Sequence, residues 1–244
     1  MNMNQAVLQQ RVKALEDFSQ LTIVTPSQWL GRVSKNSTLF RKYAHHHIYN
    51  GLDTQIFKIH NQNFARSVFN IPVDVKMMLF VSDHLDNHRK GMDMLLEAFD
   101  STSTEEMIVC AIGKQNTLLS KKNVSFVFLD NIKDERLMSL AYASADFVVI
   151  PSREDNLPNV MIEALSCGTP VISFPVGGLN EIVEPKFNGV LAEEVSSKAL
   201  AKAITKALEG DVPFDRATIA HAAHQKFNVR KQAALYLQLY EKTI

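Results

Sequence analysis

The chain has 244 residues, 46% apolar and 21% charged, with 26 basic and 26 acidic side chains that cancel. That length, about one to two domains, and an ordinary apolar share exclude disordered, collagen-like and coiled-coil classes. A net charge of zero leaves no polybasic field for nucleic acid or an anionic membrane, so any phosphate recognition has to be local.

In chain order, residues 5–18 predict an amphipathic helix, with Val7, Leu8, Val12 and Leu15 at helical spacing. LTIVTPS (21–27) predicts a strand closing in a turn at Pro26-Ser27, and QWLGRVSKNSTLFRKY reads as helical at its start. HHHIYNGLD (45–53) ends in the turn signal Asn50-Gly51, and 54–75 read as a connector with one short helix. From residue 76 the pattern is regular. Strands are expected at 76–82, 106–113, 123–130, 146–152 and 169–175, with a weaker one at 187–192. Helices are expected at 88–101, 133–145, 157–168, 196–210 and 216–243, with a helical turn at 178–185. Short apolar strands alternating with amphipathic helices predict an α/β fold, a doubly wound parallel sheet of about six strands covered on both faces. The break in regularity near 50–75 marks the domain boundary.

Cys110 and Cys167 form no CxxC and no zinc-spaced cluster, and read as free thiols in a reducing compartment. No apolar run approaches the roughly 18–20 residues of a membrane span. The first 18 residues carry early charges without an apolar centre, unlike a signal peptide. The expectation is a cytoplasmic protein, peripheral to a membrane only through a partner or substrate, with no transmembrane segment and no nucleic-acid partner.

Two common phosphate motifs are absent: the nine glycines contain no GxG, and there is no GxxxxGK[ST] loop. Gly177-Gly178, after a strand, reads either as a tight turn or as a close approach of backbone to a phosphate. The richest segment is PSREDNLPNVMIEALSCGTPVI (151–172). Pro158 suits a first helical turn, with Asp155 or Asn156 as its cap. Asp155 and Glu163, eight positions apart, then lie near the ligand-binding edge of the sheet. They read either as a cap and a solvated helix residue, or as carboxylates that accept bonds from sugar and ribose hydroxyls.

SREDNLPNVMIEALSCGTPVISFPVGGLNEIV closely resembles the signature of the family four (group 1) glycosyltransferases, which have the GT-B fold. That motif is Glu, seven residues, Glu, then Ala, a Cys-Gly-Thr-Pro-Val-like strand entry, Gly-Gly and Glu-Ile. HIYNGLDTQIF (47–57), HRKGMDMLLEAF (88–99) and DNIKDERLMSLAYASADFVVIPS (130–152) fit the same family in order, so the resemblance spans roughly 20–240. It implies a Rossmann-like donor-binding domain over 49–228, residues 1–48 as a remnant of the N-terminal GT-B domain, and 229–244 as a crossing helix. The rest of that first domain, about 150 residues on the size of one such unit, has no counterpart.

What the resemblance implies for function is nucleotide-sugar-dependent transfer with retention, in polysaccharide or glycoconjugate synthesis. The alternative is a non-catalytic nucleotide-binding fragment or a subunit of a split enzyme. A partner chain supplying the first half, or self-association, is expected for transfer. The resemblance assigns Lys90 to the donor diphosphate, Glu163 to the ribose and Asp155, at the first glutamate position, to the donor sugar near its reacting carbon. Asn131 and Ile132 match the backbone that holds the base, and Asn156 stands where many relatives have a glycine-containing loop. No arginine follows the first strand, and Arg89 beside Lys90 stands in for it; Glu154, one position early, competes with Asp155. No metal or other cofactor is expected, since no Asp-x-Asp triplet follows a strand. His45-His46-His47 cannot converge on one ion if extended. Cys167 reads as a small buried residue, and Met92 and Met94 as core.

Overall fold

The computed structural model describes residues 3–16, 18, 20–102, 107–114, 124–210 and 213–243. The chain opens with α1 (Met3–Ala14), β1 (Thr22–Thr25), α2 (Gln28–Lys35) and β2 (Ala44–His47). β1 and β2 pair in parallel, from Thr22 opposite Ala44 to Thr25 opposite His47, and form a two-stranded sheet of their own. After α3 (Gln62–Val68) comes a six-stranded sheet of β3 (Lys76–His84), β4 (Met107–Lys114), β5 (Ser125–Leu129), β6 (Phe147–Ile150), β7 (Val171–Ser173) and β8 (Gly189–Leu191). The intervening helices are α4 (Met92–Ala98), α5 (Glu135–Ser144), α6 (Asn159–Ser166) and α7 (Leu179–Ile182). α8 (Ser197–Leu208), α9 (Arg216–Phe227) and α10 (Val229–Thr243) follow. The order is β5-β4-β3-β6-β7-β8, every pairing parallel.

The continuous apolar runs are the central strands. β6 is buried along its whole length, and β4 up to Gly113. On β3 the side chains alternate between two cores. Met77 and Leu79 pack with Tyr142, Met161, Leu165 and Phe227; Met78 and Phe80 pack with Leu95, Phe99, Leu200 and Ile204 on the α4–α8 side. Met92 and Met94 belong to the second core.

Several boundaries differ from the sequence pattern. α2, expected without a fixed end, ends at Lys35, where Ser37 turns its hydroxyl onto the carbonyl of Ser34 (2.7 Å) and accepts the N–H of Phe40 (3.1 Å). His45–His47, read only as the approach to a turn, form β2 because β1 offers them a partner. The expected helix 88–101 is split: a 3-10 turn at His88–Lys90, Gly91 in the left-handed region at φ 77°, then α4 and a second 3-10 turn. The stretch 216–243 breaks at Asn228, where Leu52 donates to Phe227 O (2.7 Å) and Val229 donates to Leu52 O (3.0 Å). Asp17, Glu106 and Asn123, at the ends of expected elements, lie outside the described residues.

The C-terminal end of α5 is closed by two arginines, Arg66 buried and Arg216 half-buried. Arg66 donates to Ser144 O (3.0 Å) and to the carbonyls of Pro72, Val73 and Val75, and pairs with Asp146 at 2.8 Å. Arg216 donates to Ala143 O (3.0 Å) and Ala145 O (2.9 Å). Orphan carbonyls at a helix end favour such cations. Arg66→Ala leaves four carbonyls and a carboxylate short of a partner and is expected to destabilise the fold by roughly 3–5 kcal/mol. Chemical denaturation midpoints of the variant and parent check this.

Candidate active site

Numbered within the sheet, the strands run 3-2-1-4-5-6, so the winding reverses between β3 and β6. In open α/β sheets the crevice outside the strand carboxyl ends at this switch point is where ligands bind. Two segments meet there, the turn 88–91 after β3 and the loop 151–158 after β6. A Cβ on Gly91 would lie 1.9 Å from the carbonyl oxygen of Pro151, so only glycine allows the segments to touch. Arg153 N–H donates to Arg89 O (2.9 Å), and the Arg89 guanidinium donates to Glu154 O (2.9 Å). Lys90 Nζ donates to Asp155 Oδ2 at 2.7 Å, with Arg89 Nη1 at 3.5 Å from the same oxygen. Ser152 adds a bond to that oxygen (3.3 Å), and Asn156 N–H donates to Asp155 Oδ1 (3.1 Å).

Beside this junction lies a cavity of about 470 Å³ whose walls include Ser82, Lys90, Asn131, Ile132, Tyr142, Asn159 and Glu163. Glu163 enters from α6, five residues into the helix, and accepts the Tyr142 hydroxyl at 2.6 Å. Burial pushes the Glu163 carboxyl above its ordinary range; the Tyr142 bond opposes this and Glu135 adds to it. Tyr142 is fully buried, and its hydroxyl is pushed well up by burial and then by the neighbouring carboxylate. The other carboxylate oxygen of Glu163, Oε1, has no bond among the described residues.

The cavity therefore unites Lys90, Asn131, Ile132 and Glu163. Asp155 stays one step back, 11% exposed and held against Lys90. Arg89 is half exposed and turned to the 154–155 backbone and carboxylate. Asn156 does not line the cavity: its side chain accepts a short bond from the Ser27 hydroxyl, and its carbonyl accepts Gly178 N–H (2.5 Å). Neither Asp155 nor Asn156 caps α6; Pro158 occupies that position without a side-chain bond, because both polar side chains are engaged elsewhere. At Gly177 a Cβ would lie 1.7 Å from Asp155 O, so the glycine pair forms a turn packed against the loop backbone. The N-terminal unit reaches the same loops: Gln28 and Trp29 N–H donate to Glu181 of α7 at 3.1 and 3.3 Å.

Tyr142 was not singled out by sequence reasoning. Its only signal was a hydroxyl-bearing ring on a helix face that is otherwise small and apolar, and its partner lies 21 residues away on α6. His45 bonds Ser34 Oγ and Tyr43 O (both 2.9 Å), and the His47 ring stands edge-on to Tyr49. Among the described residues no His/Cys/Asp/Glu group could hold a metal ion. Burial pushes the thiols of Cys110 and Cys167 up to about 12, the opposite of what a nucleophile needs. No described helix is long and apolar enough to cross a membrane.

The family model described as glycosyl transferases group 1 matches residues 75–210, the span that carries the six-stranded sheet and both halves of the switch point. The chain belongs to this family. It is 28% identical over 188 residues to a D-inositol 3-phosphate glycosyltransferase of Mycolicibacterium smegmatis, covering 72% of this chain and 43% of that protein. An uncharacterized glycosyltransferase of Methanocaldococcus jannaschii is 30% identical over 175 residues, 66% of this chain and 44% of that one. The chain thus spans less than half the length of these relatives. Sucrose-phosphate synthase from Thermosynechococcus elongatus shares the fold with a TM-score of 0.79 at 24% identity, over 98% of this chain and 61% of that one. Anabaena HepE, solved in complex with UDP, does so at 0.78 and 20% identity, over 99% and 69%. The architecture, with its parallel sheet between helical layers, is that of GT-B glycosyltransferases.

A raised carboxyl means that ionising Glu163 is harder in the folded than in the unfolded chain. Its contribution to stability is complete below the unfolded value and is lost as pH rises through the folded one. Glu163→Gln removes that loss. The unliganded variant is expected to melt above the parent at about pH 8 and to draw level with it toward about pH 3, where both states carry a neutral carboxyl. Melting curves across that range check the sign.

Proposed function

We propose that the 470 Å³ cavity takes a nucleoside diphosphate sugar and that the chain is the donor-binding half of a retaining glycosyltransferase in polysaccharide or glycoconjugate synthesis. The observation that carries this reading is one cavity, at the switch point, into which Lys90 and Glu163 both open beside the Asn131–Ile132 turn. Its volume falls in the range of small-molecule and cofactor sites. Lys90 faces the diphosphate, Glu163 Oε1 a ribose hydroxyl, and the 131–132 turn the base. Catalysis by such a site is electrostatic: Lys90, its side chain 20% exposed, stabilises charge on the departing diphosphate. Asp155, one step back and paired with Lys90, is assigned to the donor-sugar side of the site, and Arg89 and Asn156 hold its loop in place.

Transfer also needs an acceptor held against the donor, and positioning supplies several kcal/mol of the barrier reduction. We assign that surface to the part of the relatives' length this sequence does not span, in the same chain, a partner chain or a second copy. The two buried free thiols favour work in the reducing cytoplasm.

Titration calorimetry with uridine, guanosine and adenosine diphosphates tests the reading. At least one is expected to bind, and Lys90→Ala to weaken it by roughly 1.5–3 kcal/mol, the range for a charged hydrogen bond. Equal curves for variant and parent would remove Lys90 from the site.

A further inference from the structure

Lys90 stands on a three-residue 3-10 turn between an irregular strand end and a left-handed glycine, and a turn of that kind holds itself weakly. What fixes it comes from across the switch point. The Arg153 guanidinium donates to Asp93 twice, Nη1 to Oδ1 at 2.8 Å and Nη2 to Oδ2 at 2.6 Å. Nη1 also donates to His88 O at 2.6 Å, and the backbone N–H of Arg153 donates to Arg89 O at 2.9 Å. One residue of the loop after β6 thus grips the segment carrying Lys90 on both sides, at carbonyls 88 and 89 before it and at carboxylate 93 after it.

A fork-to-fork pair fixes geometry as well as energy, which a lysine in place of arginine does not reproduce. The Asp93 carboxyl is held below its ordinary range, chiefly by the bond from Arg153. His88, exposed, lies 3.9 Å from the same carboxylate. Asp93 is 53% exposed and Arg153 27%, so water screens the pair and it adds little to global stability. What it adds is direction.

We propose that Arg153 and Asp93 are a positioning pair that presents Lys90 to the diphosphate of the donor. This rests on the donor reading given above. Neither residue lines the cavity, and neither touches the donor; both act through the turn 88–91.

The test measures, for the 244-residue chain, affinity for each of the three nucleoside diphosphates and for the matching nucleoside. Asp93→Asn and Arg153→Lys are expected to weaken the diphosphate about tenfold, within the range for bonds to charged groups, while nucleoside affinity stays within about twofold. The reversed pair, Arg153→Asp with Asp93→Arg, is expected to recover part of the loss. A merely structural role would instead lower the melting temperature and weaken both ligands alike, and would overturn the proposal. Diphosphate-to-nucleoside ratios equal to the parent's would overturn it too, with the donor reading intact. A parent chain that binds no diphosphate would bring down the donor reading and this inference together.

Discussion

The site exists because β3 and β6 are neighbours for only a short distance. They share two registered pairs, Met78 with Phe147 and Leu79 with Val148, against seven between β3 and β4. Beyond those pairs the strands part, and the gap is closed by docking the turn 88–91 onto the loop 151–155. That contact is mostly backbone: a glycine pressed on the Pro151 carbonyl, two carbonyls of the turn gripped from the loop, one carbonyl of the loop gripped from the turn. Lys90, Asp155 and the near wall of the cavity all take their places from it. A side chain at position 91 would part the two segments before any charged group could meet.

Within the cavity the energetics run against stability. Glu163 sits where burial disfavours its charge, and its one side-chain bond among the described residues, from Tyr142, offsets part of that cost. The Tyr142 ring is itself fully buried, so its hydroxyl is committed to the carboxylate and cannot turn to water. Groups held at such a cost are a common mark of binding sites, where preorganisation for a ligand outweighs the unliganded state.

Much of this was legible in the sequence. β3, β4 and β6 declare themselves as unbroken apolar runs, because strands buried on both faces need no polar alternation. The helix faces and the parallel order follow from spacing. Lys90, Glu163, Asn131 and Ile132 are picked out by the resemblance of their motifs to the family, and what the structure adds is that all four line one cavity. What escaped depends on contacts remote in sequence. β2 needs β1; the break at Gly91 needs Pro151, sixty residues on; Tyr142 needs Glu163; Arg153 needs Asp93. The expected cap of α6 failed for the same reason, since Asn156 finds Ser27, 129 residues away, and not its own helix.

The start of α2 gives one more consequence. Its first three N–H groups are all taken: Gln28 and Trp29 by the two oxygens of Glu181, Leu30 by the Ser27 hydroxyl oxygen. A helix N-terminus ordinarily attracts anions. Here the chain fills that place with a carboxylate from the helix that follows the glycine pair. Any phosphate or acid approaching α2 must first compete with Glu181, and wherever it wins, the N-terminal unit loses one of its ties to the loops at the switch point. Anion occupancy at α2 and the grip between the two sheets are therefore opposed outcomes, coupled through one side chain.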